Sequence, residues 1–235
     1  MNNYTHHTQV AVHTSDSKES SPVEIGRGAQ YKVLDLHNGR VRKIPLTEEE
    51  SKAVVASWSG TSHAPLKPLS NYPQVGVSAS KRIQEIIQQR PELCMSLAHP
   101  IFEDNGIYTQ TKLETMGQFL RRCTSAEAMT LLDAYIETIV EHLRYGFCER
   151  VFNFTLNNGV HTNQHVALLD FGEVTFDQEE VATRIATRSW TRSYSCTSEL
   201  TPELRHYYLE HMSKRLTPET LILHWQRALV PTHLL

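Results

Sequence analysis

A chain of 235 residues, 40% apolar and 21% charged, can bury one substantial core or two small ones. A formal net charge of −3 offers no electrostatic footprint for nucleic acid or an anionic membrane surface, so neither is expected as a partner. No run approaches the roughly 18 apolar residues of a membrane helix, and the opening Met1-Asn2-Asn3-Tyr4 has no secretory character.

Residues 1–22 are polar and read as a tail. Two apolar runs follow, Val33-Leu34 with Leu36, then Val41 with Ile44. Between them Asn38-Gly39 is a hairpin signal, because both turn positions need positive φ. Thr47 with Glu50 forms a capping box for a first helix. The Pro- and Ser-bearing stretch from Ser59 to Pro73 reads as a loop, and Ser80 to Gln89 as a second helix stopped before Pro91. Ile107 to Leu113 alternates like a half-buried strand. Thr124 with Glu127 opens the strongest helix, Ser125 to Tyr145, whose Leu132, Tyr135, Ile136, Ile139 and Leu143 share one face, and Gly146 ends it. Val151–Val160 and His165–Asp170 read as a short hairpin. Helices over Gln178–Arg192, Pro202–Leu216 and Pro218–Leu229 complete the chain. Strands followed by helices make an α+β protein. The four cysteines, Cys94, Cys123, Cys148 and Cys196, contain no Cys-x-x-Cys pair and read as free thiols of a reducing, cytoplasmic setting.

Four places carry chemistry. Gly26-Arg27-Gly28 precedes Val33 in a strand region, and two glycines there let a backbone approach phosphate oxygens. Lys43 ends the strand Arg40-Val41-Arg42-Lys43, where an ammonium suits phosphate charge. Asn158 lies twelve residues before Asp170, which closes an apolar run and is followed by Phe171-Gly172. Lys112-Leu113-Glu114-Thr115-Met116-Gly117 joins a strand to a helix.

In this order these segments resemble the nucleotide site of the protein-kinase-like superfamily. The resemblance covers roughly residues 23 to 175. It implies a two-lobed kinase-like fold, with a β-rich N-lobe over 23–117 and a reduced helical C-lobe over 118–235. It also implies ATP and magnesium as cofactors. Gly26, Gly28 and Val33 would then cover the nucleotide, and Lys43 would hold its phosphates and pair with a helix glutamate. Glu85 and Glu50 are both candidates for that glutamate, with Glu85 preferred because the first helix follows the strand almost at once. Glu114 and Met116 would lie at the adenine-binding hinge, and Asn158 and Asp170 would hold the metal.

The chain departs from the family in two respects. Five residues before Asn158, where the family has its catalytic Asp, stands Asn153, whose amide cannot accept a proton as a carboxylate does. Glu149 is the nearby alternative carboxylate. The segment after Gly172 is short and has no Ala-Pro-Glu. Two functions follow from the resemblance: an atypical phosphotransferase acting on a protein or small molecule, or a pseudokinase serving as a nucleotide-regulated binding module for a protein partner.

Overall fold

A computed structural model describes residues 21–58 and 71–225. The expected tail up to residue 20, most of the expected Ser59–Pro73 loop and the end of the last predicted helix lie outside these. The described residues form a mixed α+β structure containing a five-stranded antiparallel sheet.

The first strands, β1 (Val23–Arg27), β2 (Tyr31–Asp35) and β3 (Arg40–Pro45), form the expected meander. β4 (Ile101–Phe102) and β5 (Tyr108–Thr111) complete the sheet in the order β1-β2-β3-β5-β4. The β2–β3 turn differs from expectation. Positive φ falls on His37 (59°) and Gly39 (79°), not on Asn38. Side-chain acceptors explain the shift: Asp35 Oδ1 receives the His37 N–H at 2.9 Å, and Asn38 Oδ1 receives the Arg40 N–H at 3.2 Å.

Helix α1 (Glu48–Ser57) starts on the Thr47–Glu50 capping box. Helix α2 spans Tyr72–Gln89, eight residues earlier than the sequence indicated. Pro73 sits in its first turn, where a missing N–H costs nothing, so the proline reads as a helix start and not as a loop. Gly76 lies inside this helix because α2 presses on the sheet there, and a Cβ would stand 2.6 Å from the Tyr31 ring.

The second half contains β6 (Glu114–Thr115), α3 (Met116–Leu120), α4 (Ser125–Arg144), β7 (Cys148–Glu149) and α5 (Phe154–Asn157). After these come β8 (Asn158–Val160), β9 (Val166–Leu168), β10 (Val174–Thr175), α6 (Gln178–Ala186), α7 (Pro202–Arg215) and α8 (Pro218–His224). The expected helix from Gln178 to Arg192 breaks at Arg188, which adopts φ 46°. β6, β8 and β9 form one small sheet, and β7 pairs with β10.

Two apolar clusters organise the molecule. The larger surrounds α4, whose Leu131, Leu132, Tyr135, Ile136, Ile139 and Leu143 are all buried and meet Tyr208, Met212 and Leu221 of α7 and α8. Each such side chain contributes about 1.5–3 kcal/mol through burial. The other cluster lies between the five-stranded sheet and α2, and it also recruits Phe147, Leu168, Phe171 and Val174. Residues beyond 118 thus complete the core beneath the N-terminal sheet. Among the described residues no helix is long and apolar enough to cross a membrane.

Candidate functional site

The hairpin β8–β9 positions the centre of the site. Asn158 is opposite Leu168 in the ladder, and the Asn157 carbonyl accepts the N–H groups of Leu169 (2.7 Å) and Asp170 (3.4 Å). Asn158 and Asp170 are therefore placed by adjoining strands of one hairpin. β5 reaches the same strand: Gln110, fully buried, donates its amide to the carbonyls of Leu97 and Leu168 at 3.1 and 3.3 Å.

Lys43 comes from β3. Its side chain is buried, and Nζ donates to the Leu169 carbonyl at 2.5 Å. Among the described residues it forms no ion pair with a carboxylate within 4 Å. Burial pushes the ammonium pKa down, and the charge of Asp170 partly opposes this. The structure does not bring the predicted glutamate partners to Lys43. Glu85 is exposed on α2, off the stripe of Ile83 and Ile86 that faces the core. Glu50 receives the Arg27 guanidinium at 3.2 Å and the backbone N–H of Thr47.

Asp170 caps the short turn Phe171–Glu173 and accepts the Gly172 N–H at 3.1 Å. Phe171 stacks on Tyr108 with centroids 4.8 Å apart. Gly172 lies against the Gln30 amide, whose Nε2 donates to the Gly172 carbonyl at 3.1 Å. A Cβ at 172 would fall 1.2 Å from Gln30 Oε1, so any side chain there would force the Gln30 amide out of this position. Gln30 was not singled out by sequence, and no local signal marked it, because its partner lies 142 residues away.

Of the glycine-turn residues, Gly26 sits at an irregularity in the β1–β2 register opposite Val33. Val33 is half-buried on β2. Gly28 donates its N–H to the Tyr31 carbonyl at 2.9 Å, and a side chain there would enter open space. Ser51 of α1 ties the turn down by donating to the Ala29 carbonyl at 2.7 Å. At the expected hinge, Glu114 pairs with Arg122, and Met116 is fully buried at the start of α3. β6 is hydrogen-bonded to β8, so this segment is joined to the strand that carries Asn158.

Asn158 is wholly buried. Its Nδ2 donates to Glu149 Oε1 at 2.6 Å, and its Oδ1 has no hydrogen-bond partner among the described residues. Glu149, itself 1% exposed, also receives the Tyr135 hydroxyl at 3.1 Å. Burial pushes its carboxyl pKa up to about 7, against the hydrogen bonds from Asn158 and Tyr135. Enclosed and doubly bonded, Glu149 is not placed to meet a substrate hydroxyl. Asn153 is also engaged: its Oδ1 accepts the Tyr194 N–H at 3.0 Å.

Among the described residues no three His, Cys, Asp or Glu side chains gather as a metal cage. Magnesium does not need one, since one or two protein oxygens plus phosphates suffice. The unpartnered Oδ1 of Asn158 and the carboxylate of Asp170 fit that donor set in chemistry. No protein-family model matches this chain, and no curated protein shows significant similarity to it.

Proposed function

We propose that this chain is a kinase-like, ATP- and magnesium-binding protein, with a β-rich and a helical lobe around one nucleotide site. The observation that carries this reading is Lys43, a buried ammonium that donates to the Leu169 carbonyl, lies 5.8 Å from the Tyr108 ring centre and, among the described residues, pairs with no carboxylate within 4 Å. A buried cation left in this state is costly unless an anion completes it, and a phosphate is the anion such a site would take. The open side of Gly28 and the free oxygen of Asn158 support the same reading. Lys43 would hold phosphate, Gly26, Gly28 and Val33 would cover the nucleotide, and Asn158 with Asp170 would hold the metal. Magnesium, when bound, neutralises phosphate charge.

Of the two functions, the binding module for a protein partner is favoured over the phosphotransferase. Asn153 is an amide already committed to the Tyr194 backbone, and Glu149 is enclosed, so neither offers a base to an incoming hydroxyl. A cytoplasmic setting accords with the four free cysteines.

Thermal unfolding with ATP, with and without magnesium, tests the binding. At about 100 times its Kd a ligand adds about 2.7 kcal/mol of stability. The natural protein is expected to shift only with both, and Asp170→Ala to lose the magnesium requirement along with most of the shift. No shift under any condition would overturn the reading. Transfer of radiolabelled γ-phosphate to the protein or an added acceptor would instead make it an enzyme.

A further inference from the structure

Within that site, Asn158 presents a puzzle that its own position does not solve. A side-chain amide has one oxygen and one nitrogen of nearly equal size. Only the oxygen can hold a cation, so an Asn ligand is useful only when something fixes which end faces the metal. We propose that Glu149 is the positioning residue that fixes the amide of Asn158, engaging its nitrogen so that the oxygen stays free for a divalent cation. The proposal rests on the nucleotide–metal reading above.

The geometry supports it at each link. Asn158 Nδ2 lies 2.6 Å from Glu149 Oε1. With Glu149 ionised, the reverse orientation would set the amide oxygen against a carboxylate oxygen, lone pair against lone pair, and leave two buried donors without an acceptor. Glu149 cannot turn away to accommodate it. Its other oxygen is held by Tyr135, a fully buried residue of α4, and its backbone is paired with Val174 through β7 and β10. The Asn158 oxygen has no hydrogen-bond partner among the described residues although the side chain is wholly buried. Glu149 thus stands to Asn158 as outer carboxylates stand to ligating side chains in metal sites.

The test reads metal dependence, not turnover. Magnesium is titrated into the protein with saturating ATP, and the thermal shift gives its half-saturating concentration. Glu149→Leu removes the acceptor and is expected to raise that concentration about tenfold or more. Glu149→Gln keeps an oxygen for Asn158 and is expected to stay within about threefold of the natural protein. In the N158D background both ends of residue 158 are oxygens, so adding Glu149→Leu should change the magnesium dependence by no more than about twofold. Equal losses from Glu149→Leu in both backgrounds would show a merely structural role and overturn the proposal. Unchanged magnesium dependence in folded Glu149→Leu would do the same.

Should Glu149→Leu not fold, the Asn158 side-chain amide in the natural protein decides by nuclear magnetic resonance. One strongly downfield, slowly exchanging N–H that persists on adding magnesium and ATP is expected. Two averaged, rapidly exchanging protons would overturn the proposal. A natural protein that shows no magnesium-dependent ATP shift fails the function itself, an outcome distinct from a binding protein indifferent to Glu149.

Discussion

A lysine ammonium held inside a protein without a carboxylate partner is a burden on the folded state. Among the described residues Lys43 pairs with no carboxylate within 4 Å, and the Leu169 carbonyl is its hydrogen-bond acceptor, with the charge of Asp170 offsetting its burial only in part. Lys43→Met should therefore raise the unfolding temperature of the ligand-free protein while abolishing its response to ATP and magnesium. A purely structural lysine would show the reverse, a lower unfolding temperature. Asn153 allows an equally specific expectation. Because its Oδ1 accepts the Tyr194 N–H, a carboxylate at that position would accept the same bond. Asn153→Asp should fold with stability within about 1 kcal/mol of the natural protein. Its second oxygen takes the place of Nδ2 and is not engaged by that bond, so phosphoryl transfer from labelled ATP, gained only in the variant, would show that the missing carboxylate is what prevents turnover. Both residues were visible in the sequence, but what they touch was not. The partners of Lys43 and Asn153 lie 126 and 41 residues away, and no local pattern encodes contacts of that range.

Among the elements, α4 was the most legible, because its Thr124–Glu127 capping box and its apolar stripe point to the same helix. α2 was the least legible. Its first turns contain Tyr72-Pro73 and Gly76, residues that ordinarily argue against a helix. They are helical here because the sheet packs against them, so tertiary contact overrides propensity. Gly76→Ala provides the test. In an open helix that change would stabilise by up to about 1 kcal/mol. Here the new methyl would meet the Tyr31 ring at 2.6 Å and the Gln30 side chain at 3.2 Å. Overpacking of this kind costs about 1–3 kcal/mol, so denaturant unfolding should show a net loss. The displacement of Glu85 from Lys43 follows from the same helix. Ile83, Ile86 and Ile87 already mark the buried stripe in the sequence, and Glu85 lies off it. That periodicity sets Glu85 on the exposed face of the helix.

Over the whole molecule, the response to acid should be dominated by groups whose charge the fold suppresses. His142 of α4 is buried against Phe147, with ring centroids 4.5 Å apart, and loss of water around it pushes its pKa down to about 3. The unfolded chain takes up that proton near pH 6.5 and the folded one only near 3. Between these values His142 binds its proton only in the unfolded state, so its own contribution to stability falls as pH drops, whereas the buried carboxyls of Glu149 and Glu173, both pushed up to about 7, contribute in the opposite sense. His142→Phe should remove the His142 contribution, so the variant gains stability relative to the natural protein as the pH of urea unfolding is lowered from 7 to 4. The two apolar clusters were foreseeable as compositional capacity, but not the recruitment of Phe147 and Phe171 beneath the N-terminal sheet. Gln30 gives this recruitment a consequence in time. Its amide fastens the turn after β1 to Gly172, while Tyr31 faces Gly76 of α2 and Phe171 stacks on Tyr108. Opening any one of these parts breaks its contacts with the others. In hydrogen exchange, the amides of α2, of the Asp170–Gly172 turn and of β5 should be released at one shared rate, as a single cooperative unit assembled from both ends of the chain.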